Sequence, residues 1–183
     1  MNKIYWFWNL IHYFIFRFEK KASYYINLPI KWAFNKLFEI SFIKQGLKER
    51  GSSKENIFNA SENFLDNPTE SLNITISSIQ MGGLLILIEY SIFNFIQGIT
   101  EISYIQKIWE NDLFKILFIL SFLILPGIIN YFVLFKNKRY LIYFEKFKKL
   151  SNPEKLKYGR LTFGFVIFVI LILIESFQFI MRT

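Results

Sequence analysis

The chain has 183 residues, of which 53% are hydrophobic and 20% aromatic, and its formal net charge is +8. The apolar residues fall in long blocks, which is typical of membrane proteins and argues against an ordinary soluble domain. The chain has no cysteine, which excludes disulfides and thiolate chemistry, and its single histidine, His12, excludes two-histidine metal sites. We find no catalytic constellation and no phosphate-binding loop, so we expect neither a cofactor nor a bound metal.

The first apolar segment, Ile4–Phe16, is 13 residues long. It is apolar on every face, but it is shorter than the roughly 20 residues that a helix needs to cross a bilayer. Arg17 follows it without a small-residue cleavage site, so it is a poor secretory signal. Residues Tyr24–Ile43 are aromatic-rich with charges spread around the helical wheel, which indicates a surface or interfacial helix.

Three later segments are long enough to cross the membrane. Ser78–Ile99, Leu113–Phe135 and Leu161–Met181 have 22, 23 and 21 residues, with one charged residue in each. Each can cross about 30 Å of hydrocarbon as a helix, because in lipid the backbone must bond to itself. The sequence therefore predicts an all-α integral membrane helical bundle with three long spans, a short N-terminal apolar helix and amphipathic cytoplasmic helices.

The basic residues predict the orientation. Seventeen of the 22 Lys and Arg lie either between Lys20 and Lys54 or between Lys136 and Arg160. Cytoplasmic loops of membrane proteins carry this excess, so we place residues 17–77 and 136–160 inside and the acidic connector 100–112 outside. We expect a multi-pass protein of the bacterial inner (cytoplasmic) membrane. Since insertion accounts for the charge, we expect no specific nucleic-acid partner.

The second basic loop predicts an amphipathic helix. Tyr140, Tyr143, Phe144 and Phe147 share one face. The membrane-surface candidates on its other faces are Lys138, Arg139, Lys146, Lys148 and Lys149. The helix either lies on an anionic membrane surface or packs on the protein's own loops, and the pattern leaves both interpretations open.

The pentapeptide LILIE occurs twice, at Leu85–Glu89 and at Leu171–Glu175. Asn-Pro precedes each copy, and an aromatic span end and a basic loop precede each Asn-Pro. This order indicates a parallel duplication, although chance is an alternative in a chain so rich in Ile and Leu. Under duplication, Ile4–Phe16 corresponds to the inner end of a span. We therefore expect four crossings, both termini outside, and one membrane domain over residues 1–183.

The two glutamates are the main candidate functional residues. Glu89 and Glu175 lie about 16 Å and 21 Å along their predicted spans, where a charge costs a few kcal/mol. Either they are protonated and join helices by hydrogen bonds, or they line a conductive path in an oligomer. In both cases we predict that neither faces lipid. Further polar candidates are Asn94, Gln97 and Gln178, and the helix-packing candidates are Gly82, Gly83 and Gly164.

The stretch INYFVLFKNKRYLIYFEKFKKLSNPEKLKYGRLTFGFVIF, about forty residues, resembles a pattern of small uncharacterised multi-span membrane proteins of Bacteroidota-type bacteria. In size, charge and span layout the chain is also similar to the membrane accessory proteins of type VI CRISPR loci. The resemblance is architectural: it implies a role in antiviral defence and carries no motif over residue by residue. The small number of polar residues in the spans predicts a non-enzymatic protein.

Two functions follow as hypotheses. The first is an oligomeric membrane protein that forms or gates a conductive path, as an accessory or effector of antiviral defence. The second is a structural or regulatory membrane subunit that docks a cytoplasmic protein partner through its basic loops. In both hypotheses the lipid bilayer is a partner, and the first requires a homo-oligomer.

Overall fold

The computed structural model describes residues 3–182, which form eight α-helices and no strand. The helices are α1 Lys3–Phe38, α2 Ser41–Glu49, α3 Lys54–Asp66, α4 Leu72–Thr100, α5 Tyr104–Trp109, α6 Asp112–Asn130, α7 Arg139–Lys148 and α8 Asn152–Arg182. A π-helical segment, Tyr131–Phe135, and a 3-10 turn, Lys136–Lys138, connect α6 to α7. The predicted all-helical class is confirmed.

Three helical runs are long and apolar enough to cross a membrane: Leu72–Thr100, Asp112–Lys148 and Asn152–Arg182. They contain the three predicted spans, which supports a membrane protein. Helix α1 is not among them, and its apolar segment Ile4–Phe16 has only 13 residues. A fourth crossing by Ile4–Phe16 therefore remains a prediction.

Side-chain caps explain where several helices begin, and they lie close to the predicted positions. The Ser53 hydroxyl accepts a hydrogen bond from the Asn56 N–H at 3.1 Å and caps α3. The Ser151 N–H and hydroxyl both donate to Glu154, at 2.9 and 2.6 Å, and fix the start of α8. The spacing Ser52…Glu55 and the pair Asn152-Pro153 predict caps at Ser52 and Asn152, so each observed cap is one residue away from its predicted position.

Pro126 lies within the predicted span Leu113–Phe135, where a proline predicts a kink. In the structure α6 continues through Pro126 to Asn130 as a single helix. The irregular backbone comes later, in the π-helical segment Tyr131–Phe135 and at Asn137 and Lys138, whose φ angles are 57° and 52°. Proline removes one N–H from the helix, but the surrounding turns stay α-helical. The change of direction between α6 and α7 therefore lies at the predicted inner end of the span.

The chain forms two compact units. The first combines the residues up to Phe14 with those from Ile79 onward, and the second is Ile15–Ser78. Both α1 and α4 continue from one unit into the other. The predicted single membrane domain covers both units.

The beginning of α1 is the most buried part of the first unit. Leu10, Ile11 and His12 have no exposed surface. The His12 and Tyr13 rings each lie 5.2 Å from the Phe144 ring of α7, measured between centroids. Other rings of this segment meet the first turns of α8, with Trp6 5.5 Å from Tyr158 and Phe7 5.4 Å from Phe165. The short apolar segment is therefore an aromatic core for α7 and α8.

Candidate functional site

Aromatic contacts place α4 between α6 and α8. The Tyr90 ring, next to Glu89, lies 5.8 Å from the Phe122 ring of α6 and 5.7 Å from the Phe177 ring of α8. One turn further along α4, the Phe93 ring lies 4.9 Å from that of Phe118. These contacts fix the part of α4 that carries the polar candidates.

Asn94 makes the polar contact between two spans. Its side-chain amide donates a hydrogen bond to the Ser176 hydroxyl at 3.1 Å, and both residues are buried. The Ser176 hydroxyl in turn donates to the backbone carbonyl of Leu173 at 2.7 Å. Ser176 was not a sequence candidate, although small polar residues are frequent at interfaces between membrane helices. Asn94, a pore-lining candidate, thus has a structural partner within the chain.

The two glutamine candidates have local partners near the predicted outer ends of their spans. The Gln97 side-chain carbonyl accepts a hydrogen bond from the Ile105 N–H at 2.9 Å, which satisfies a backbone donor at the start of α5. The Gln178 carbonyl accepts one from the Arg182 guanidinium at 3.3 Å. Both amides can therefore stabilise helix ends in addition to any role in a conductive path.

Glu89 is half-buried between its neighbours on α4. Its Oε2 atom is buried and has no hydrogen-bond partner among the described residues. An acceptor in this position is costly unless a proton, a water or another group satisfies it. The Glu89 carboxyl group therefore has capacity for a partner from outside the described chain.

Glu175 has a different environment from Glu89. It is exposed on the surface of α8, and its carboxyl group makes no hydrogen bond or ion pair with any residue from 3 to 182. Gly164, Phe168 and Leu171 are exposed on the same helical face, at intervals of four, three and four residues up to Glu175. The two copies of LILIE thus share a sequence and not an environment, because their helices pack on different neighbours.

The glycine candidates make little contact within the chain. A Cβ atom at Gly82 would lie 3.7 Å from the Asn130 amide nitrogen, which is an ordinary contact, and one at Gly83 or Gly164 would meet nothing within 4 Å. The close approach occurs at Gly98, where the Phe179 ring of α8 occupies the position that a Cβ would take. A packing role for Gly83 and Gly164 remains a prediction for contacts between subunits.

The amphipathic helix α7 buries its apolar face in its own protein. Tyr140, Tyr143, Phe144 and Phe147 are all buried in the first unit. The five basic candidates surround this face. Arg139 donates a hydrogen bond to the Phe132 carbonyl at 2.7 Å and lies 4.2 Å from the Tyr5 ring centre.

Lys148 pairs with Glu145 at 2.5 Å, and Lys146 lies 5.4 Å from the Tyr143 ring centre. Lys138, Lys146, Lys148 and Lys149 are all exposed. Any contact of α7 with a membrane surface would therefore rest on its lysines, since the aromatic face is already occupied.

A cluster of polar side chains lies at the end of α6, and the sequence did not predict its contacts. The Trp8 indole N–H donates to the Asn130 side-chain carbonyl at 2.9 Å. The Asn9 amide donates to the backbone carbonyls of Tyr5 at 2.7 Å and Val133 at 3.1 Å. The π-helical backbone beyond Asn130 is thus tied to α1, which explains why these polar residues interrupt two apolar segments.

Apart from Lys115, which pairs with Asp112 at 2.9 Å, the polar candidates along the spans are carboxyl, amide and hydroxyl groups. Such groups can exchange protons, form hydrogen bonds and attract cations. Within residues 3–182 no cluster of three or more His, Asp or Glu side chains could hold a metal ion. No protein-family model, curated protein or solved structure shows significant similarity to this chain.

Proposed function

We propose that the protein is a non-enzymatic, oligomeric protein of the bacterial inner membrane that forms or gates a conductive path. The observation that carries the proposal is the exposed Glu175 on a candidate membrane span. A charged residue inside the hydrocarbon region is costly, so such residues usually face a partner or water. Within a single copy, residues 3–182 provide no partner side chain for the Glu175 carboxyl group.

A second copy would provide the missing environment. Gly164, Phe168, Leu171 and Glu175 form an exposed stripe with the four-three spacing of a helix–helix seam, and Gly164 leaves room for close approach. Copies inserted in the same orientation bring their Glu175 side chains together at one depth. A group of carboxylates in this arrangement attracts cations and can line a path for them.

The contacts of α1 bear on the topology. Trp6, Phe7 and Trp8 meet residues between Asn130 and Phe165, which are the end of α6, α7 and the beginning of α8. Asn130 lies only about 7 Å from the predicted inner end of its span, at 1.5 Å per residue. These contacts favour an N-terminal segment that stays in the inner half of the bundle. We therefore favour three crossings and a cytoplasmic N-terminus over the four crossings that the repeat predicts.

The proposal is tested by ion flux into liposomes that contain the purified protein. We expect cation flux for the wild type. Glu175→Gln should keep the oligomer and change cation selectivity or its dependence on pH, because the amide cannot ionise. Glu110→Gln, at an exposed position between α5 and α6, is the matched control and should behave as wild type. Assembled protein without flux, or Glu175→Gln with unchanged flux and selectivity, would contradict the proposal.

The second candidate function is a structural or regulatory subunit that docks a cytoplasmic protein partner. Its support is a set of exposed lysines on α7 and at its two ends, beside an apolar face that is already packed: Lys138, Lys146 and Lys149. Such a surface suits an acidic partner. Under this alternative, charge reversal of the three lysines abolishes partner binding, and the liposomes pass no ions. An antiviral setting rests on the architectural resemblance alone.

A further inference from the structure

The second unit has an inverted arrangement of polar and apolar side chains. From the middle of α1 onward, polar residues face α3 and the first turn of α4. The Lys31 ammonium donates to Glu62 at 2.8 Å, and the Ser23 hydroxyl donates to the Asn73 side-chain carbonyl at 2.7 Å. Lys31 holds the pKa of Glu62 below its usual range, by this hydrogen bond and by its charge. Lys20 adds an ion pair with Asp66 at 3.2 Å.

The apolar side chains of the same helix point outward. Ile26 is 67% exposed and Trp32 is 66% exposed. The exposed large apolar residues between Tyr24 and Leu37 are Tyr24, Tyr25, Ile26, Leu28, Ile30, Trp32, Phe34 and Leu37. A soluble protein does not keep a contiguous aromatic and aliphatic surface of this kind without a partner.

The outward face is also free of charge over most of its length. Between Ala22 and Asn35 the only charged residue is Lys31, and its ammonium group is turned to Glu62. Lys21 and Lys36 flank this uncharged stretch, and both are exposed. On a helical wheel, Lys31 lies among apolar residues. In the structure its ion pair with Glu62 turns its ammonium group away from the outward face.

We propose that this outward face, from Tyr24 to Phe34, lies in the boundary between headgroups and acyl chains of the lipid bilayer. Trp and Tyr favour that depth, and flanking lysines reach the headgroups from either end. The chain joins this unit to a candidate span, because Leu72–Thr100 begins within residues 15–78. This surface is independent of the conductive path proposed above.

The absence of cysteine from the chain allows a direct test by single-cysteine spin labelling. Ile26→Cys and Trp32→Cys place labels on the outward face in full-length protein in liposomes. Ala60→Cys is the matched control, since Ala60 is exposed on α3 about half a helical turn away from Glu62. We expect oxygen to relax the labels at positions 26 and 32 more than a water-soluble nickel complex does, and the reverse at position 60.

Two results would overturn the proposal. Labels at positions 26 and 32 that the nickel complex reaches as readily as the label at position 60 would place the face in water. Immobilised labels that neither reagent reaches would place it against protein, such as a second copy. Tyr25→Cys, also at an exposed position, repeats the measurement if either of the first two variants is not recovered in folded form.

Discussion

The hydrogen bond between Asn94 and Ser176 is a polar contact that joins α4 to α8 in the outer part of their predicted spans. Bonds of this kind between membrane helices contribute about 0.6 kcal/mol on average and at most about 1.7 kcal/mol. We predict that Asn94→Ala lowers the thermal midpoint of the detergent-purified protein. Ser121→Ala, on the exposed surface of α6, is the control and should leave the midpoint unchanged. Equal midpoints for Asn94→Ala and wild type would show that the contact is dispensable.

Alanine substitutions at two glycines distinguish helix packing within the chain from packing between subunits. Gly98→Ala places a methyl group against the Phe179 ring, and overpacking of this kind costs about 1–3 kcal/mol unless the ring moves. We expect a lower thermal midpoint for Gly98→Ala. Gly164→Ala meets nothing within the chain, so we expect unchanged stability of the subunit and a smaller oligomeric fraction by light scattering. A stable Gly98→Ala variant, or a fully assembled Gly164→Ala variant, would contradict the respective prediction.

At the scale of elements, the beginning of α1 is held by the Trp8–Asn130 hydrogen bond. Trp8→Phe keeps an aromatic ring but leaves the buried Asn130 carbonyl without its donor, which costs about 1–3 kcal/mol. We predict a lower thermal midpoint and faster proteolysis of the α6–α7 connection. Trp32→Phe, at an exposed position, is the matched control and should match wild type. Similar midpoints for the two variants would show that the bond does not anchor α1.

The sequence predicted the helices better than the contacts between them. Runs of apolar residues predicted three long apolar helices, each of which contains one predicted span, because such runs depend on local composition. The Trp8–Asn130 and Asn94–Ser176 contacts could not be predicted, because each pair is far apart in sequence and no local pattern links its members. The repeated LILIE suggested equivalent glutamates, yet Glu89 is half-buried and Glu175 is exposed. The two helices pack on different neighbours although the five residues are identical.

For the whole molecule, the charge distribution predicts the orientation. A reporter inserted at Leu150, between α7 and α8, should be cytoplasmic, and a C-terminal reporter should be outside. An N-terminal reporter distinguishes three crossings, with a cytoplasmic signal, from four, with an external one. A cytoplasmic C-terminus would contradict both versions, whereas an external N-terminus would contradict only the three-crossing version that we favour.

The core position of the first apolar segment has a consequence for how the chain is made. Trp8 can bond Asn130 only after 122 further residues have been synthesised, and Asn9 can bond Val133 only after 124. At about 5–20 residues per second, synthesis leaves this segment without those partners for about 6–24 s. During that interval its aromatic side chains need another apolar environment, and the membrane interface provides one. A nascent chain that stops before Asn130 never completes these contacts, so such fragments should be targets for membrane quality control.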